Sequence, residues 1–71
     1  MAVDVKTPKT PVEILQIALR KEEGSYKLYD SMLGESKVGF VRELLEKLRE
    51  EEGRHIRMIK KRIAQLEMGR G

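Results

Sequence analysis

The chain has no cysteine. That excludes disulfides and thiolate zinc sites, the usual staples of small proteins, and it leaves the redox compartment open. Nor is there a run of roughly 18 apolar residues, the length a membrane-spanning helix requires. Met1 to Lys9 lacks the apolar stretch of a signal peptide, so a cytoplasmic location is the expectation. No segment alternates apolar and polar residues as a strand does, and there is no internal repeat or low-complexity tract. Charge of one sign does not dominate either. The 15 Lys and Arg residues are mostly interspersed with 12 Asp and Glu, for a net charge of +3, a balance that suits a solvated helical surface better than a dedicated nucleic-acid face. The basic run Lys60, Lys61, Arg62 has no interleaved aromatic side chains on which bases would stack, so nucleic acid is not an expected partner.

What is present is helical periodicity in a chain of 71 residues. Residues 1–9, with Lys6, Pro8 and Lys9, read as an irregular tail. Thr10 is placed to cap a first helix, Pro11 suits its first position, and Glu13 stands three residues after Thr10 as in a capping box. The apolar pattern then predicts a helix over about 11–33, with Gly34 as its stop. Ser36 is the expected cap of a second helix over about 37–67, and residues 68–71 are expected to fray. At about 1.5 Å per residue the helices span roughly 34 and 46 Å. A turn this short forces them antiparallel, so the fold class is an all-α two-helix hairpin. Its apolar stripes exceed what two helices can hide. Leu15, Ala18, Tyr29 and Met32 lie on the seam of the first helix, and Phe40, Leu44, Ile56 and Ile63 lie beside that of the second. A homodimer closing into a four-helix bundle would cover them, and so short a chain needs a partner, a metal or both. Met32, Met58 and Met68 read as gap fillers.

Three polar side chains interrupt these seams. Glu52 and His55 form an E-x-x-H step on the stripe that passes through Val38, Val41, Leu45, Leu48 and Ile59, and Glu22 lies between Ala18 and Ser25 on the other helix. Neighbouring glutamates provide a control. Glu23 has Arg20 and Lys27 one turn away, and Glu51 has Lys47 and Arg54, so both read as surface ion-pair members. Glu22 has Ala18, Leu19, Ser25 and Tyr26 at those offsets, and Glu52 has Leu48 and Ile56 at four residues either way with Arg49 and His55 at three, so a compensating cation is called for. With the turn near Ser36, Glu22 falls level with about residue 50, one helical rise or two from Glu52. A face-to-face dimer would then collect four Glu and two His, the donor set of carboxylate-bridged di-iron bundles. Oxygen and imidazole donors without sulfur suit iron or manganese, with zinc able to occupy the site adventitiously. Tyr29, two turns from Glu22, is expected to pack in the core with its hydroxyl on a carboxylate. Gly24 and Gly53, each costing about 1 kcal/mol relative to Ala inside a helix, suggest close approach or distortion near the site. The alternative reading is a non-catalytic dimerisation module whose inward Glu and His form a hydrogen-bonded polar cluster that fixes register.

The stretch from Ala18 to Tyr29, with Glu22 seven residues before the aromatic, resembles the first ligand helix of the ferritin-like superfamily in its rubrerythrin-type form. Leu45, Leu48, Glu52 and His55 resemble its L-x-x-L-x-x-x-E-x-x-H helix, and the likeness runs from Ile14 to about Leu66. Such a helix pair occurs twice in full-length members and once here, which makes the chain similar to half-ferritins, notably the encapsulated ferritins with the same spacing from Glu22 to Glu52. The resemblance implies a ferroxidase that oxidises Fe(II) with oxygen or peroxide at a di-iron site shared by two subunits, ligated by Glu22, Glu52 and His55. It also implies an encapsulin shell as a partner and compartment, although no targeting tail is evident after Leu66. No rubredoxin-like iron–cysteine module is present, which argues against a peroxidase fed with electrons in cis.

Overall fold

A computed structural model describes residues 10–69. It consists of two helices, α1 (Pro11–Glu35) and α2 (Gly39–Gly69), folded into a hairpin, with no strand among the described residues. The expected tail and the last two residues lie outside the described part.

Local chemistry sets the start of α1. Thr10 is extended (φ −123°, ψ 156°); its hydroxyl accepts the Glu13 amide N–H at 3.1 Å, and the Glu13 carboxylate accepts the Thr10 N–H at 3.1 Å. Two otherwise orphaned donors are satisfied reciprocally, with Pro11 taking a position that needs none. The end of α1 departs from expectation. The helix passes through Gly34, which has no positive φ, and Ser36 caps its C-terminus by donating its N–H to the Met32 carbonyl at 3.0 Å. The physical reason is Arg42, whose guanidinium reaches back from α2 to the carbonyls of Leu33 and Ser36. A cation on the open carbonyls does what a left-handed glycine otherwise does. Ser36 therefore ends α1 rather than starting α2, and Val38 lies in the linker, 49% exposed, rather than on the seam. At the far end α2 extends through Met68 to Gly69.

Packing is concentrated near the turn. Leu33 and Leu45 are the buried hydrophobics among the described residues, and half-buried Leu15, Ala18, Leu48, Ile56 and Ile59 continue the seam away from them. The two faces of the hairpin then differ. At about 100° per residue, Ile14, Ile17 and Leu28 of α1 fall on the same side as Phe40, Leu44 and Met58 of α2. All six are exposed, Phe40 at 76%. Met58 and Met68 are thus not gap fillers within one chain. The opposite side is closed by polar contacts: Asp30 pairs with Arg49 across the helices, the Arg49 guanidinium lies 6.0 Å above the Tyr26 ring centroid, and that ring lies against Gly53.

Candidate metal centre

Glu22 projects from the middle of α1, and Glu52 and His55 project from successive turns of α2. The antiparallel hairpin brings them together: one donor atom from each lies within 4.8 Å of the other two. His55 Nδ1 is 3.3 Å from Glu22 Oε1 and 3.7 Å from Glu52 Oε1. Glu51 instead meets Arg54 at 3.5 Å on the surface. The two adjacent glutamates thus separate as their neighbours dictate, one toward solvent and one toward the seam.

The polar accounting of this cluster does not close. A single imidazole nitrogen carries at most one proton, and it can serve only one of the two carboxylates. The shorter approach goes to Glu22. The 3.7 Å to Glu52 exceeds hydrogen-bond reach, and Glu52 Oε1 is buried with no hydrogen-bond partner among the described residues. Such an oxygen costs about 1–3 kcal/mol if left unpaired. Converging anionic oxygens, an imidazole and an orphaned lone pair are what a divalent cation with O/N preference satisfies. The site is not sealed. The Glu52 side chain is 18% exposed, Glu22 25% and His55 44%, and His55 opens toward the apolar face.

Tyr29 is half-buried on α1, and within the single chain the side-chain partner of Glu22 is His55. A Cβ at Gly53 would stand 3.6 Å from the Tyr26 ring and 3.6 Å from the Arg57 guanidinium, whereas Gly24 faces open space. A methyl group at Gly53 would make ordinary van der Waals contacts, so close packing within the single chain requires glycine at neither position. Sequence reasoning missed Tyr26, Arg49 and Asp30. Arg49 was visible as the residue one turn before Glu52, but its partner lies 19 positions away, and no local pattern reveals that.

A two-helix hairpin with a carboxylate–imidazole cluster between its helices is an arrangement that could hold a metal ion. The family model for rubrerythrin matches residues 13–71, and the chain belongs to that family. Rubrerythrins typically bind iron, and the Glu22, Glu52, His55 group is a donor set able to hold it. No curated protein and no solved structure matches the chain. No described helix is long and apolar enough to cross a membrane.

Proposed function

We propose that the protein is a di-iron carboxylate ferroxidase whose site is completed by a second copy of the chain. The observation that carries this reading is the buried, unpartnered Glu52 Oε1 beside Glu22 and His55 in a chain of the rubrerythrin family. A self-sufficient polar cluster would leave no such atom. One chain offers three donor residues, few for an iron site of this class, and two chains offer the four Glu and two His of a di-iron bundle. The uncovered apolar face is where a second hairpin would pack, and His55 opens onto it.

Iron at this position supplies one-electron chemistry toward oxygen or peroxide. The chain's own contribution is electrostatic and steric. Glu22 and Glu52 bring negative charge to a partly desolvated seam, where four carboxylates from two chains would balance two divalent ions. His55 adds a neutral donor, and the Leu48 and Ile56 side chains one turn either side of Glu52 limit water. Manganese would suit the same donors, and zinc would bind without redox chemistry. A two-hairpin bundle encloses no storage cavity, so oxidised iron would pass to a larger container, and an encapsulin shell in the cytoplasm is the candidate the half-ferritin resemblance supplies.

The test is metal content with oxidation. Protein from iron-supplemented cells should carry about one iron per chain and oxidise Fe(II) in air, and Glu52→Ala and His55→Ala should lose both properties. Metal-free protein whose thermal stability ignores added Fe(II) would sink this reading and leave a structural Glu/His cluster.

A further inference from the structure

On the face opposite the exposed apolar residues, an open cleft of about 460 Å³ is lined by Tyr26 of α1 and by Arg49, Glu50, Gly53, Arg54 and Arg57 of α2. We propose that this cleft is an oxyanion site that takes a phosphate group.

Three guanidinium groups face one cleft, with Glu50 as the single acid among its lining residues. They are not equally engaged. Arg49 is committed to Asp30 and held above the Tyr26 ring, and Arg54 makes a loose 3.5 Å contact with Glu51. Arg57 pairs with no carboxylate among the described residues. An exposed arginine without a partner ordinarily extends into water. Here Nη1 of Arg57 and Cε2 of Tyr26 each come within 3.6 Å of the point where a side chain on residue 53 would begin. The guanidinium is thus drawn in over Gly53, toward the ring and beside the other two arginines. Like charges gathered this way repel one another unless an anion sits among them.

The planar fork of arginine matches phosphate geometry with paired N–H donors. Arg49, fixed by Asp30, gives the cleft one pre-oriented wall, while Arg57 is free to close on a ligand. Gly53 places no side chain in the floor of the cleft. The Tyr26 ring offers an edge to any group attached to the phosphate. Because the cleft and the apolar face lie on opposite sides of the hairpin, a second chain on the apolar face leaves the cleft open. The inference is independent of the metal reading.

Inorganic phosphate and adenosine monophosphate, each titrated into isotope-labelled full-length protein in metal-free buffer at constant ionic strength, distinguish free phosphate from a phosphate ester. Expected are saturable resonance shifts at the Gly53 amide and the Arg57 side chain. Affinity should fall about tenfold in Arg57→Gln and by less in Arg57→Lys, which keeps the charge but not the fork. Tighter binding of the ester, lost in Tyr26→Leu, would assign the ring to the attached group, and equal binding would assign the site to phosphate alone. Shifts that rise linearly with concentration, that are as large at Lys60 and Lys61, or that persist unchanged in Arg57→Gln would mark diffuse screening of a basic helix and overturn the proposal. Arg57 is exposed, so its variants leave the hairpin folded.

Discussion

One face of the hairpin is finished within a single chain and the other is not. Around Tyr26, each interhelical contact has its complement: a carboxylate for a guanidinium, a ring beneath that guanidinium, a glycine beneath the ring. On the other face six large apolar side chains are about half or more exposed to water, and beside His55 a buried carboxylate oxygen has no donor among the described residues. Both faces come from the same two helices with the same register, so the difference lies in side-chain chemistry alone. On the proposed reading, a second chain would cover the apolar face and a metal ion would satisfy the unpartnered oxygen. The polar face is where an isolated hairpin tolerates water.

Spoiling the unfinished face should have the largest effect. Phe40→Lys combined with Leu44→Lys leaves every proposed ligand in place. It should nonetheless yield a monomer by sedimentation and abolish iron uptake, and iron retained by a monomeric double variant would refute the shared site. Glu52→Met comes next. It replaces an orphaned carboxylate with an apolar group of similar length, so metal-free protein should gain about 1–3 kcal/mol in chemical unfolding, while stabilisation by Fe(II) disappears. A loss of stability instead would mean that Glu52 is already satisfied in the metal-free protein. At the turn, Arg42→Ala removes the cation from the Leu33 and Ser36 carbonyls, and about 1 kcal/mol should be lost, seen as faster amide exchange at the end of α1. The smallest change is a gain. Gly24→Ala places a methyl group in open space and should stabilise α1 by up to about 1 kcal/mol, with thermal melting as the readout and metal content unchanged.

Much of this could be read from residue order, for reasons that particular positions make plain. The capping box at Thr10 and Glu13 is a local pattern, and the structure repeats it bond for bond. Glu22, Glu52 and His55 converge because helical period and a short turn fix both face and depth, so two one-dimensional rules suffice to place three side chains. The turn itself was less legible. Gly34 and Ser36 are good stop and start residues by local propensity, but Arg42, further along the chain, satisfies the carbonyls and shifts both boundaries. Contacts made by long flexible side chains, Arg42 to Leu33 and Arg49 to Asp30, leave no periodic trace, and they are what the sequence reading lacked.

That each chain carries one Glu from α1 and one E-x-x-H pair from α2 has a genetic corollary for the proposed dimer. Every codon change at Glu22, Glu52 or His55 enters the assembled centre twice, on opposite sides of a two-fold axis. In such a dimer selection could not give the two ions different ligands, because one sequence would write both halves. Two helix pairs in tandem in one chain would be free to diverge. In a dimer of this chain the symmetry of the centre would be enforced by inheritance, and any division of labour between its two ions would have to come from the substrates that approach it.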